Sequence, residues 1–145
     1  MTYFGSCLCG AVKYQVNKFE KDMAHCHCSM CRKFHGAAFA TFGEVSEHNF
    51  KWISGDDLLN SYKAPNGTVR KFCSHCGSSL VFESAASRNA KLIEIAIATL
   101  DESQGLEPDA HIFVESKVPW LSLNDSLPKY INHRNSQQTN FKEIP

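Results

Sequence analysis

Residues 59–82 read LNSYKAPNGTVRKFCSHCGSSLVF. Three short segments within this stretch, 59–63, 68–72 and 78–82, have the length and composition of β-strands. Between the first two lies Ala64-Pro65-Asn66-Gly67, a turn signal, because Asn-Gly tolerates the positive φ of a tight hairpin. Between the second and third lies Cys73-Ser74-His75-Cys76-Gly77, two thiols at the spacing of a metal-binding turn. The stretch therefore predicts a hairpin and a further short strand, with a pair of sulfurs between the last two.

The same pattern extends outward. Val12, Tyr14 and Val16 alternate with Lys13, Gln15 and Asn17, as the buried face of a strand does. Phe50, Trp52 and Ser54 lead into Gly55-Asp56-Asp57, a turn or the start of a short helix. Residues 92–98 are rich in Ile and Leu and read as a strand with at least one buried face. Residues 111–114 form a short last strand. The one helix expected is 29–35, with Ser29 as its N-cap. Residues 100–109 hold acidic side chains, Gly105 and Pro108, and read as a loop. The prediction is one mainly β domain over residues 1–130, and a polar, Asn- and Gln-rich tail over 131–145 that is peripheral or mobile.

Composition narrows the function. The chain has 145 residues, 43% hydrophobic and 21% charged, which is ordinary for a folded domain. Fifteen Lys and Arg balance fifteen Asp and Glu, so there is no cationic excess to attract nucleic acid or an anionic membrane. No apolar run approaches the roughly 18 residues of a spanning helix. The first residues carry neither a basic nor an apolar leader segment, so a cytoplasmic protein with reduced thiols is expected. Asn66-Gly67-Thr68 and Asn124-Asp125-Ser126 match the glycosylation sequon but are explained by turn chemistry. Oligomeric state is not legible in the sequence.

Seven cysteines are an odd number, so disulfides cannot use them all. Cys7-Leu8-Cys9-Gly10 and Cys73-Ser74-His75-Cys76-Gly77 are two similar pairs. Each is followed at once by Gly, whose backbone freedom lets two nearby sulfurs turn toward one ion. Zinc in a structural site takes four ligands in a tetrahedron, so Cys7, Cys9, Cys73 and Cys76 are assigned to one structural zinc. The remaining run, Cys26-His27-Cys28-Ser29-Met30-Cys31, places three sulfurs within six residues, where a strand end turning into a helix can converge them. Two readings of it stand. Three ligands leave a tetrahedral position for water or substrate, the pattern of a catalytic zinc. Alternatively His25, His27 or His35 fills that position and closes a structural Cys₃His site, His35 sharing the helix face of Cys31.

Gly5-Ser6-Cys7-Leu8-Cys9-Gly10, then Cys26-His27-Cys28-Ser29-Met30-Cys31-Arg32-Lys33, then Cys73-Ser74-His75-Cys76-Gly77 resembles the glutathione-dependent formaldehyde-activating enzyme family, which shares its domain with centromere protein V. Gly36-Ala37-Ala38-Phe39, His111-Ile112-Phe113-Val114 and Pro119-Trp120 fit as well, and the resemblance runs from about Tyr3 to Tyr130. It implies an Mss4-like fold, a folded-over antiparallel sheet around the zinc sites. It implies a structural zinc on Cys7, Cys9, Cys73 and Cys76, and a catalytic zinc on Cys26, Cys28 and Cys31. It also implies a carbon–sulfur lyase activity, joining glutathione and formaldehyde into S-hydroxymethylglutathione. The expected partners are thus a small thiol and a small aldehyde. Fold and sites transfer better than substrate within such a family.

A three-thiolate zinc is electron-rich and suits a further soft ligand better than it suits hydroxide. A thiol bound there is deprotonated and held as a nucleophile beside the aldehyde, while coordination of the aldehyde oxygen is the competing mechanism. His27, His35 and His75 flank the ligands and are candidates for proton transfer, although ordinary supporting or surface roles suit them too. Arg32, Lys33 and Arg70 are candidate contacts for glutathione carboxylates, and Trp120 a candidate pocket wall or ordinary packing residue. The alternative function is a non-enzymatic zinc module for a protein partner. Two zinc dications and seven thiolates would take the formal charge from zero to −3.

Overall fold

A computed structural model describes residues 1–139 of the chain. Its strands are β1 (Tyr3–Ser6), β2 (Lys13–Val16), β3 (Met23–Cys26), β4 (Ala40–Ser46), β5 (Phe50–Ser54), β6 (Leu59–Lys63), β7 (Val69–Cys73), β8 (Ser79–Glu83), β9 (Leu92–Ala96) and β10 (Ala110–Ile112). Two short helices join them, α1 (Ser29–His35) and α2 (Ala85–Asn89). The protein is mainly β, as expected, with a second short helix beyond the one read from the sequence. Ser84 caps α2 by accepting from the Ser87 N–H at 3.0 Å. Among the described residues, no helix is long and apolar enough to cross a membrane.

The chain forms two compact units, each built from separate stretches: Met1–Lys21 with Gly43–Leu106, and Asp22–Phe42 with the chain from Glu107 onward.

In the first unit β1, β2 and β5 make a sheet in that order, with antiparallel registers Gly5↔Tyr14 and Tyr14↔Trp52. Val12, Tyr14 and Val16 are fully buried, which is the alternation of the sequence realised. The Tyr14 ring lies 5.7 Å from Phe50 and 6.0 Å from Trp52, and its hydroxyl is 2.7 Å from Thr99 Oγ1. This ring occupies the space a side chain at position 5 would need: a Cβ on Gly5 would sit 2.2 Å from Tyr14 Cζ. Strands β6 to β9 pair antiparallel in succession. The β6–β7 turn is the one expected: Gly67 has φ +86°, Ala64 and Thr68 are bridged by a 2.8 Å backbone bond, and Asn66 Oδ1 accepts from the Thr68 N–H.

In the second unit β10 runs parallel to β3, pairing Ala110 with Ala24, His111 with His25 and Ile112 with Cys26. This parallel pair departs from the all-antiparallel expectation. β10 also ends sooner than the sequence suggested, because Phe113 adopts φ +56° and Val114–Ser116 turn as a 3₁₀ segment. The polar segment after Tyr130 folds back as far as it is described. Tyr130 bridges Gln138, the Ile131 N–H donates to Gln137 O at 2.9 Å, and Arg134 donates to Asp109 at 2.8 Å and to Met23 O at 3.1 Å. Residues 140–145 of the expected tail lie outside the described residues.

Candidate metal centres

The first centre is made by two turns of like construction. After β1 the chain bends so that the Cys7 N–H donates to Val12 O (3.0 Å) and the Gly10 N–H to Cys7 O (2.9 Å). After β7 the Cys73 N–H donates to Ser78 O (3.0 Å) and the Gly77 N–H to Cys73 O (2.8 Å). Gly10 and Gly77 take φ +78° and +80°, a conformation that costs an L-residue with a side chain about 1–2 kcal/mol. The Leu8 N–H donates to Ser78 Oγ at 2.8 Å and so fastens one turn to the other.

This places the sulfurs of Cys7, Cys9, Cys73 and Cys76 all within 4.8 Å of one another. Cys7 and Cys9 sulfurs are 3.5 Å apart, and Cys9 and Cys73 sulfurs 4.0 Å. These are too long for a disulfide, which needs about 2.05 Å, and none of the seven cysteines is in a disulfide. A tetrahedral zinc with bonds of about 2.3 Å needs sulfur–sulfur edges of about 3.8 Å, so the set fits that ion. The donors around it fit thiolates. The Val12 N–H points at Cys7 Sγ (3.3 Å), and Ser78 Oγ lies 3.3 Å from Cys76 Sγ.

The thiols also respond unequally to one another. The Ser78 hydroxyl draws Cys76 down to about 5, against the opposing effect of desolvation. Burial resists ionisation of Cys7, but the Val12 N–H and neighbouring thiols outweigh it and hold the group below its usual value. Cys9 is helped by the Ala11 N–H, yet the Cys7 sulfur and desolvation push it up to about 11. Four adjacent thiolates repel one another, and full ionisation calls for a cation among them.

The second centre sits where β3 passes into α1. Cys26 is the last residue of β3, and Cys31 lies in the first turn of α1. Cys28 itself is the N-cap: its sulfur accepts from the Cys31 N–H at 3.3 Å, and its carbonyl from the Arg32 N–H at 3.0 Å. The cap is therefore Cys28 and not Ser29, since the sulfur reaches the third helical amide as a Ser hydroxyl would. The sulfurs of Cys26, Cys28 and Cys31 lie within 4.8 Å of one another, and Cys26 and Cys31 are buried. The Cys28 and Cys31 thiols, with desolvation, drive Cys26 far above the usual thiol range. This set too needs a cation to ionise.

Among the described residues, no histidine or carboxylate joins these three sulfurs. His25 instead bonds Thr41 Oγ1 at 2.8 Å, and His35 packs its ring against Phe34 and Phe42. His27 turns to His111: His27 Nε2 is 2.8 Å from His111 Nδ1, and His111 Nε2 is 2.8 Å from Asp125 Oδ2. Both rings are almost wholly buried. Burial, with His111 and His25 nearby, lowers His27 to about 3. Asp125 resists desolvation through the hydrogen bonds of His111 and Lys129, which hold it down near 2. His111 and Asp125 were not read as site residues. His111 stood in the sequence as part of a strand and of a segment fitting the resemblance, with no role attached, and its contacts span 84 and 14 residues, which no local pattern can register.

The other candidates divide. His75 is exposed in its turn, and Lys33 is exposed on α1. Arg70 is buried, its guanidinium 5.1 Å from the Phe82 ring. Trp120 is 73% exposed, so it neither packs in a core nor encloses a pocket.

The fold and these centres define a β-rich protein organised around one four-sulfur and one three-sulfur cluster, each able to hold a metal ion. The chain belongs to the glutathione-dependent formaldehyde-activating enzyme family, which it matches over residues 2–116. It is 28% identical over 127 residues to a Halomonas elongata protein provisionally named a glutathione-dependent formaldehyde-activating enzyme, covering 82% of this chain and 79% of that one. It is 28% identical over 91 residues to an uncharacterised lyase of Schizosaccharomyces pombe, covering 63% of this chain and 64% of that one. A crystal structure of a Rhodobacter sphaeroides protein shares the fold, with a TM-score of 0.57 at 24% identity over 72% of this chain and 91% of that one.

Proposed function

We propose that the protein is a zinc-dependent carbon–sulfur lyase that joins a small thiol, glutathione, to formaldehyde as S-hydroxymethylglutathione, or acts on a related thiol adduct. The observation that carries this reading is the contrast between the centres: four sulfurs meet in one, and in the other three meet, joined by no further side-chain ligand among the described residues. Cys7, Cys9, Cys73 and Cys76 then hold a structural zinc, and Cys26, Cys28 and Cys31 a catalytic one. Zinc held by three thiolates supplies a soft Lewis acid with a position left for a substrate thiol, whose acidity it raises.

The chain supplies the rest. Cys28 ties its sulfur to the amide of Cys31, which fixes two donors in one turn of backbone. Arg32 and Lys33 follow directly on α1 and set positive charge beside a cluster of net negative charge, suited to the carboxylates of glutathione. Seven cysteines outside any disulfide call for a reducing compartment, for which we propose the cytoplasm.

Thiols and formaldehyde also combine without a catalyst, so the test is the rate of exchange. Carbon-13 exchange spectroscopy of labelled formaldehyde with glutathione should show acceleration by the zinc-loaded protein. Zinc-replete protein that leaves the exchange at its uncatalysed rate refutes the proposal.

A further inference from the structure

The tip of the β6–β7 hairpin carries a reactive pair that the metal chemistry does not use, Asn66-Gly67. Asn66 is exposed and Gly67 half-buried. The Gly67 N–H donates to Ala64 O at 2.9 Å, which closes a turn over Pro65 and Asn66. Neither of these two residues has a positive φ, so the turn is type I. Its third residue, Asn66, then has ψ about 0°. Gly67 follows in the left-handed region, at φ +86°. Asn66 Oδ1 accepts from the Thr68 N–H at 3.0 Å, which holds the side chain against the loop. Arg88 reaches across from α2: its Nη2 donates to Gly67 O at 2.7 Å and its Nη1 to Glu83 O at 2.9 Å. A Cβ at Gly67 would have no neighbour nearer than 3.8 Å. Hydrogen bonds rather than packing therefore hold the glycine in place.

Asparagine is a labile residue, most of all before glycine, where no Cβ crowds the attacking nitrogen. The Gly67 backbone nitrogen gives its proton to solvent base and attacks Asn66 Cγ. The N–Cγ bond forms, the Cγ–Nδ2 bond breaks, and Nδ2 takes up a proton and leaves as ammonia. The product is a five-membered imide. Water then opens the ring on either side of the nitrogen, to aspartate or to isoaspartate with the main chain rerouted through Cγ. No electron is transferred, and water is the one co-reactant. The folded turn withholds the first step. At ψ about 0° the Gly67 nitrogen lies over the Asn66 nitrogen, away from Cγ. Ring closure swings it about the Cα–C bond of Asn66, which breaks the bond to Ala64 O and draws Gly67 O off Arg88. We infer that Asn66 is a deamidation site gated by opening of the β6–β7 turn, with Arg88 as its latch. Isoaspartate adds a backbone carbon to a loop that the Ala64 N–H closes on Thr68 O at 2.8 Å, which spoils the register of that turn. Each reaction thus leaves a permanent record that the hairpin opened.

The test is peptide mapping by mass spectrometry of the zinc-loaded full chain, kept warm at neutral pH under reducing conditions. Aspartate and isoaspartate at position 66 are separated by chromatography. The same chain unfolded in guanidinium chloride is the reference. Asn66 in the folded chain should deamidate at least about 10-fold more slowly than in the unfolded one. Arg88→Ala removes both donors and should raise the folded-state rate about 10-fold, while a cooperative melt by circular dichroism shows that the variant is folded. Arg88→Lys keeps one charged donor and should fall between the two, and it carries the test if Arg88→Ala does not fold. Folded and unfolded chains that deamidate at one rate overturn the gate. A folded Arg88→Ala, or in its place a folded Arg88→Lys, that reacts at the native rate overturns the latch. An unfolded chain that stays unchanged at Asn66 overturns the site itself.

Discussion

Withdrawing metal from the four-sulfur centre should unfold the first unit. Cys73 is fully buried and Cys7 is 3% exposed, so the sulfurs are part of the interior. Cys9 and Cys73 are 64 residues apart in sequence, and an ion gripping both closes that loop. Chain-entropy arithmetic for a crosslink of this length gives about 4 kcal/mol. The whole binding free energy of a structural zinc is larger, about 10–16 kcal/mol at neutral pH. A domain of this size is stable by about 5–15 kcal/mol in total. Loss of the metal therefore removes an amount comparable with the entire stability, and the metal-free chain should lose its cooperative transition. The assay is circular dichroism during heating, with zinc measured by mass spectrometry, after a strong chelator under reducing conditions. A companion sample of the Cys28→Ser variant, impaired at the three-sulfur centre, assigns the effect to the four-sulfur set. Metal-free protein that melts cooperatively at the native temperature would refute the reasoning.

Cys28 has two roles, and two substitutions separate them. Cys28→Ser keeps an N-cap acceptor and should lose exchange turnover at nearly native thermal stability, whereas Cys28→Ala should lose turnover and also about 1 kcal/mol of stability, read by urea unfolding. Gly5→Ala drives a methyl into the Tyr14 ring and should cost about 1–3 kcal/mol or more in the same assay; an unchanged midpoint would mean that the ring moves aside freely. Arg134→Ala removes donors to Asp109 and Met23 O and should raise amide hydrogen exchange around Asp109 and Met23, with little effect on the first unit.

The parts that the sequence made legible are those whose cause is local. Alternation at Val12, Tyr14 and Val16 and the Asn66-Gly67 turn are written within a few residues, and the structure realises both. So is the partition of seven cysteines into four and three, because a turn that aims two sulfurs leaves a spacing and a glycine behind. Helix α2 carried a local signal as well, Ser84 three residues before Ser87, but five residues are too few for a periodicity to stand out. The parallel pairing of β10 with β3 carried none, since strand partners distant in sequence leave no period. The His27–His111–Asp125 chain was hidden for the same reason. Even the resemblance that drew attention to 111–114 said nothing of what His111 touches, and Asp125 lies beyond the matched residues 2–116.

That parallel pair has a consequence for synthesis. His27 leaves the ribosome 84 residues ahead of His111, and residues 43–106, which belong to the first unit, are made in between. At about 5–20 residues per second, the nascent Cys26–Cys31 loop waits on the order of 4–17 seconds for β10. The first unit, by contrast, has its whole complement of residues before β10 exists. During the wait the three thiols lack the strand that pairs with β3 up to Cys26, and reduced thiols in an unfinished fold are open to oxidation and to soft metals. If both centres take metal as proposed, the order of translation lets the four-sulfur centre fill first.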